Sequence, residues 1–365
     1  MGDVTRLHVQ GASPYDVVVG HGVLAEVPAI LGAGPQRVAV CFAEPLAGIA
    51  ARVIAALGDL EVLRLPLPDG EVAKTGQVAL DAWEQLGAAG FTRSDAVVTV
   101  GGGATTDMGG FIAATWLRGV RVVHVPTTLL AMVDAAVGGK TGMNTGAGKN
   151  LVGAFHEPAG VVCDLDLLGT LPEPELIAGL GEVVKCGFIA DPEILTLVER
   201  CPADALEPRS GELRELVERA IAVKIGVVQH DLKESGGRDG HPGREVLNYG
   251  HTMAHAIEKA TDYRVRHGEA VALGMVYVAE LARLTGHLDD AVAARHEAVL
   301  ASVGLPTRFA GAPFEELLAT MRVDKKARGS HLRFVVLDDV GRPTILTDPS
   351  EEHLRAAYDH LAGGR

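Results

Sequence analysis

Two domains are expected from this sequence, an α/β domain over residues 1–171 and a mainly α-helical domain over 172–365. Three observations point there. Short β-branched runs alternate with helix-like stretches through the first half, the signature of βαβ units and a parallel sheet with helices on both faces. At Thr170-Leu171-Pro172-Glu173-Pro174-Glu175 the pattern changes to a strong helix start, with Thr as cap and prolines near the first turn. A chain of 365 residues also has the length for two domains.

In the first half, segments 5–10 and 15–19 are expected to add an antiparallel pair at a sheet edge. Residues 37–41 read as a strand, followed by an amphipathic helix over 45–57. A second strand over 61–65 leads to a helix over 75–90, and residues 95–100 and 121–125 give two more strands. Beyond residue 172 the spacing predicts helices over 173–188, 192–200, 210–231, 249–260, 268–285, 289–303 and 313–322. A single β-hairpin interrupts them, with 332–337 facing 343–346 across Asp338-Asp339-Val340-Gly341. Residues 236–244, rich in Gly and Pro, read as a loop.

Composition narrows the function. The chain is 47% hydrophobic and 22% charged, the balance of an ordinary globular enzyme. A formal charge of −14 would repel a phosphate backbone, and 4% aromatic residues offer little stacking surface, so no nucleic-acid partner is expected. An anionic small molecule must therefore be captured by locally concentrated Lys and Arg. The four cysteines (Cys41, Cys163, Cys186, Cys201) are widely spaced, which suits a reducing compartment. The start shows no secretory pattern, Arg6 breaks the myristoylation pattern, and no apolar run reaches membrane-spanning length. A cytoplasmic location without a membrane partner is the expectation.

The segments that carry chemistry are few. Gly101-Gly102-Gly103-Ala104-Thr105-Thr106-Asp107 follows the third strand directly, where glycines admit a pyrophosphate and the next helix offers its positive N-terminus. Taken alone, a ligand-free strand-to-helix turn explains it equally well. Pro126-Thr127-Thr128 supplies two hydroxyls at the end of the fourth strand. Asp134, Gly138-Gly139-Lys140-Thr141-Gly142-Met143-Asn144 and Gly148-Lys149-Asn150 set lysines in a glycine-rich, apolar stretch, which suits recognition of phosphates and hydroxyls better than a solvated loop does. Glu182, His251 and His267 are a carboxylate and two imidazoles, the ligand set of an open zinc site with a position left for substrate or water. Singly, each is more readily a structural residue, by about two to one. His251 and His255 are four apart, so on one helix they share a face, with Asn248 one turn before them. Lys185 shares the helix face of Glu182. Lys224 and Arg244 precede the His251 segment, and Asp324-Lys325-Lys326 ends a helix.

Taken together, these segments resemble the 3-dehydroquinate synthase family, in order and over nearly the whole chain. The resemblance implies an N-terminal Rossmann-like domain that binds NAD, and a helical C-terminal domain that carries zinc (or cobalt) and most of the substrate site. It implies a lyase of the shikimate pathway that converts 3-deoxy-D-arabino-heptulosonate 7-phosphate to 3-dehydroquinate and phosphate, with NAD used and regenerated in each cycle. Metal ligands are implied at Glu182, His251 and His267. Catalytic and substrate contacts are implied at Asp134, Lys140, Lys185, Lys224, Arg244, Asn248, His255, Asn150 and one of Lys325 and Lys326. Arg118 is implied to reach the phosphate of a neighbouring subunit, hence a homodimer. NAD contacts are implied at Asp69, Gly70, Glu71, Lys74, Gly103, Ala104, Thr105, Thr106, Asp107, Thr127, Thr128, Lys140, Lys149, Leu167 and Thr170.

Two departures stand out. Cys41-Phe42-Ala43, with Glu44 beyond, occupies the place where the family often has an acidic residue for the adenosine ribose. The loop 236–244 is about six residues longer than the usual pattern, so Arg238 competes with Arg244 for the carboxylate, with the spacing to Asn248 favouring Arg244. Rival readings are a related sugar-phosphate cyclase (amino-dehydroquinate, valiolone or inosose type), a metal-dependent polyol dehydrogenase, and a non-catalytic NAD-binding regulator. The set of phosphate-binding cations disfavours the dehydrogenase, and the retained ligands and Lys185 disfavour the regulator.

Overall fold

The computed structural model describes residues 4–231, 243–326 and 331–364. The chain divides into two compact units, Met1–Leu171 and Pro172–Arg365.

The first unit holds β1 (Thr5–Val9), β2 (Tyr15–Gly20), α1 (Glu26–Leu31), β3 (Arg37–Ala43), α2 (Ala47–Ala56), β4 (Glu61–Leu67), α3 (Gly76–Ala88), β5 (Ala96–Gly101), α4 (Gly103–Thr115), β6 (Arg121–Pro126), β7 (Lys140–Thr145), β8 (Gly148–Phe155) and β9 (Gly160–Asp164). Seven strands form one sheet in the order β1-β2-β9-β6-β5-β3-β4. Its pairs are parallel except β1 with β2, the expected antiparallel pair at the edge. Because successive strand residues face opposite sides, β3 divides between two cores. Val38, Val40 and Phe42 join Val98, Val100, Val123 and Val125 on one side. Ala39 and Cys41 pack with Val97, Leu65, Met108 and Ile112 on the other. Both faces are covered, which is why these strands read as continuous apolar runs.

Two parts of this unit differ from the sequence expectation. The glycine-rich stretch read as lysine-bearing turns is an antiparallel hairpin, with Lys140 opposite Phe155 and Gly142 opposite Gly153. Glycine lowers strand propensity, but here the hairpin lies against α4, and tertiary packing decides. The short run β9, fully buried between β2 and β6, was not anticipated either.

The second unit holds α5 (Glu173–Ile189), α6 (Pro192–Arg200), α7 (Gly211–His230), α8 (His251–Ala260), α9 (His267–Leu284), α10 (Asp290–Ser302), α11 (Phe314–Lys326), β10 (Arg333–Asp339), β11 (Arg342–Thr347) and α12 (Glu351–Leu361). The hairpin expected over 332–346 is present, with Val335 opposite Ile345 and Gly341 at φ +75° in the tight turn. Helix α9 is buried on nearly every face and packs against α5, α8, α10 and α12. It is the axis of the unit, as a helix apolar all round must be. Helix α12, capped by Ser350, lies beyond the expected helices. No helix among the described residues is long and apolar enough to cross a membrane.

One local expectation is corrected. Asn248 does not share a helix with His251 and His255. It ends a 3₁₀ turn (Gly243–Asn248), and Gly250 at φ +78° re-aims the chain before α8 begins at His251. A left-handed residue cannot sit inside an α-helix, so the continuous stripe breaks there.

Candidate functional site

Three helices of the second unit bring Glu182, His251 and His267 together. Their ligand atoms lie within 4.8 Å of one another. Glu182 Oε1 is 3.4 Å from His251 Nε2 and 3.6 Å from His267 Nε2. A tetrahedral site with metal–ligand bonds of ~2.1 Å has edges of about 3.4 Å, so the spacing suits a divalent ion. Glu182 Oε1 is buried and makes no hydrogen bond among the described residues, which is the state of an oxygen reserved for a cation.

Electrostatics favour the same conclusion. Burial would raise the Glu182 carboxyl, but Lys185 first, then His251 and His267, hold it well below the usual carboxylate range. Lys185 pairs with Glu182 and donates to the Leu247 carbonyl at 2.8 Å. Burial, with the Lys185 charge behind it, pushes the His251 imidazole down to about 3, so its ring is neutral at physiological pH. Its Nδ1 lies 3.2 Å from the Tyr249 carbonyl, which can only accept, so Nδ1 carries the proton and Nε2 keeps a lone pair that a cation between it and Glu182 could take. Burial pulls His267 the other way from its partners. The Glu182 and Glu258 carboxylates prevail and push it up to about 10. A metal ion would displace the Nε2 proton while Nδ1 stays on Glu258, 3.3 Å away.

Glu258 escaped the sequence reading. It lies seven residues after His251, two turns along the same face of α8, and that period was its available signal.

Lys224 on α7 and Arg244 on the 3₁₀ turn are buried, and the Arg244 amide donates to Asp231 at 3.4 Å. That turn packs against α5 and α7. His255 is exposed, its ring centroid 5.5 Å from that of His251. Arg238 lies outside the described residues. So do the side chains of Lys325 and Lys326, at the end of α11.

In the first unit a polar network gathers beyond the carboxyl ends of β4 and β5. Lys74, fully buried, donates to Asp107 at 2.6 Å and to Asn150. Asn144 joins the parts, donating to Glu71 at 2.7 Å and accepting from the Asn150 amide at 3.0 Å. Lys149 Nζ is 3.9 Å from Glu71. Asn144 was visible in its motif but was given no role. Asp69 and Gly70 open the exposed turn that carries Glu71. Gly103 and Ala104 begin α4, and Thr105 and Thr106 are buried in its first turn. The Thr127 amide closes on the Gly101 carbonyl at 2.9 Å, and Thr128 Oγ1 accepts from the Ala131 amide. Leu167 is buried, and Thr170 donates to its carbonyl at 2.7 Å. A glycine turn leading from a parallel strand into a helix N-terminus fits a dinucleotide pyrophosphate. Asp134 lies in the π-turn Ala131–Ala135, close enough to Asp107 for its charge to be felt there. Lys140 is exposed at the start of β7, and Arg118 is exposed in a left-handed turn after α4.

Burial pushes the Asp107 carboxyl up to about 6, against the opposing pull of Lys74. The folded chain therefore holds this proton more tightly than a free carboxyl near 3.8 does. The stabilisation from protonated Asp107 is full below about pH 3.8 and is lost as pH rises through about 6. Melting temperature of the parent relative to Asp107→Asn is thus expected to fall between about pH 4 and about pH 7. A flat difference across that window would refute the assignment.

Residues 64–178 match the family model described as 3-dehydroquinate synthase N-terminal, and residues 179–327 match 3-dehydroquinate synthase C-terminal. The chain is 58% identical over 363 residues to the 3-dehydroquinate synthase of Thermobifida fusca, covering 99% of this chain and 97% of that one. It is 54% identical over 363 residues to that of Streptomyces avermitilis, covering 98% of each. Among solved structures, it is similar to 2-epi-5-epi-valiolone synthase from Streptomyces hygroscopicus with NAD+ and Zn2+ bound, with TM-score 0.87, 26% identity, and 98% and 99% of the two chains covered. It is also similar to 2-deoxy-scyllo-inosose synthase complexed with carbaglucose-6-phosphate, NAD+ and Co2+, with TM-score 0.86, 26% identity, and 99% and 100% covered. Two family models that meet end to end, and relatives more than half identical from end to end, establish that the chain belongs to the 3-dehydroquinate synthase family.

Proposed function

We propose that this chain converts 3-deoxy-D-arabino-heptulosonate 7-phosphate to 3-dehydroquinate and phosphate, as a carbon–oxygen lyase with NAD and a divalent metal ion, zinc or cobalt. The observation that carries this reading is the Glu182–His251–His267 set, with Glu182 buried beside Lys185, in a chain so similar to enzymes of that name. When bound, NAD would take a hydride from the substrate and later return it, while the ion would supply Lewis-acid activation of the hydroxyl to be oxidised.

The chain's own residues then bind and orient. Glu182, His251 and His267 hold the ion. Lys185, Lys224 and Arg244 take the substrate carboxylate and nearby oxygens. All three are buried, so an anion meets them with little competing water and each charge-assisted contact is strong. Asn248 and His255, with Asn150 and Lys325 or Lys326, hold the phosphate. Asp134 and Lys140 contact the reacting hydroxyls. A C5 ketone acidifies the C6 proton. With these groups fixing the phosphate, one of its oxygens removes that proton, the C–H electrons form the double bond, and the C7–O bond breaks. NAD is met by Asp69, Gly70, Glu71, Lys74, Gly103 to Asp107, Thr127, Thr128, Lys140, Lys149, Leu167 and Thr170.

A homodimer in which Arg118 reaches the neighbouring subunit's phosphate completes the site. Exposed Leu117, next to Arg118, and exposed Phe155 at the end of β8 support it as apolar residues near that turn. His156 donates to the Val120 carbonyl at 2.8 Å and so ties the end of β8 to that turn.

The test is purified protein with heptulosonate 7-phosphate, NAD and zinc. One phosphate per carbocyclic product, with no net NADH, is expected. NADH rising in step with product would point instead to a dehydrogenase, and absence of phosphate release would end the reading.

A further inference from the structure

The side chains of Tyr249 and His296 lie outside every role assigned so far, yet both residues are fully buried and polar. The Tyr249 hydroxyl is 2.8 Å from His296 Nε2. His296 Nδ1 is 2.8 Å from the Val292 carbonyl one turn back on α10. That carbonyl can only accept, so Nδ1 carries the proton, Nε2 accepts, and the tyrosine hydroxyl donates. Burial agrees, pushing His296 down to about 4 and raising Tyr249 well above its ordinary value, so neither group changes charge near neutral pH.

Each end of the pair is anchored to an element that carries a metal ligand. The His296 ring stacks on Phe188, with centroids 3.6 Å apart and planes 9° from parallel. Phe188 belongs to α5, the helix of Glu182 and Lys185. Tyr249 stands two residues before His251, and its carbonyl accepts from His251 Nδ1 at 3.2 Å.

We infer that Tyr249 and His296 are positioning residues of the metal centre, acting through the Tyr249 carbonyl to fix the tautomer and angle of the His251 ring. The inference rests on the metal reading above. If the pair served packing alone, two apolar residues of similar shape would do as well, since a buried hydrogen bond adds little net stability over matched apolar groups. What packing alone does not call for is the position of this bond. It holds the backbone carbonyl that orients a ligand, and such outer contacts typically change metal affinity by about ten- to a hundredfold.

The test is cobalt(II) titration of the metal-stripped protein, followed by the visible d–d spectrum, with melting temperature of the stripped protein recorded alongside. Tyr249→Phe keeps the carbonyl and loses only the bond that holds it, so it should weaken cobalt binding by up to about tenfold and alter the spectrum. The double variant Tyr249→Phe/His296→Phe removes both polar partners, so it should recover melting temperature without recovering cobalt affinity. His296→Gln keeps an acceptor for the hydroxyl and should bind cobalt more tightly than His296→Phe. It also serves if Tyr249→Phe does not fold. Cobalt affinity and spectrum unchanged in Tyr249→Phe, or affinity that simply follows melting temperature across the set, would overturn the inference and leave the metal reading standing. If the unsubstituted protein takes up no cobalt or zinc, the metal reading falls first and this inference with it.

Discussion

Replacing His251 by Ala is expected to strip the protein of metal and of turnover while leaving its melting temperature near that of the metal-free parent. His251 supplies a neutral imidazole whose loss leaves two ligands, so affinity should fall by more than the ~100-fold typical of an outer contact. The Lewis-acid contribution is worth several kcal/mol, so turnover should drop by about a thousandfold or more at ~1.4 kcal/mol per decade. Glu182→Ala should look different. Glu182 is buried against Lys185, and removing one partner of a buried pair costs roughly 3–5 kcal/mol. That variant should lose metal, turnover and stability together. Metal content after desalting, phosphate release and thermal melting separate the two. A metal-free His251→Ala sample that turns over at the parent rate would sink the metal assignment. A Glu182→Ala protein that melts with the parent would sink the buried-pair account.

The second large effect is expected at a residue with no side chain. Gly268→Ala should destabilise the second unit and weaken its hold on metal, although Ala exceeds Gly in helix propensity by about 1 kcal/mol. A Cβ at Gly268 would sit 2.6 Å from the Ala178 carbonyl carbon, and one at Gly181 would sit 3.0 Å from the Gly268 carbonyl carbon. These are backbone atoms, which no rotamer change can move aside. Helices α5 and α9 would have to separate, at a cost of ~1–3 kcal/mol or more. Gly181 precedes Glu182 and Gly268 follows His267, so any separation pulls two ligands apart. A second close approach works alike: a Cβ at Gly250 would lie 2.9 Å from the Met275 amide nitrogen and 3.0 Å from the Val271 carbonyl oxygen, which places His251 against α9. Gly226→Ala, at an exposed position of α7, is the control. Nothing lies within 4 Å of its added Cβ, so it should gain up to about 1 kcal/mol. Equal melting temperatures for Gly268→Ala and the parent would refute the argument.

The sequence by itself determined the layout of this protein. β-branched runs alternating with helical stretches specified the parallel sheet, because strands covered on both faces must be continuously apolar. The change at residue 172 marked the helical half, and residue chemistry singled out Glu182, His251 and His267 as candidate ligands before any contact was visible. Local pattern encodes such features because they follow from period and side-chain type.

What only the tertiary structure decided is everything that depends on approach between distant segments. Glycine spacing suggested turns over 138–150, yet those residues pair as a hairpin because α4 gives them a surface to pack on. A helical period put Asn248 beside His251, and Gly250 in the left-handed region broke that stripe. Glu258, Tyr249 and His296 were ordinary letters of amphipathic helices until packing set them behind the ligands. The proposed ligands meet because backbone crosses backbone at Gly181–Gly268 and Gly250–Gly274. An absent side chain reads in sequence as weakness of a helix, and only the partner helix lying against it turns that absence into a close contact.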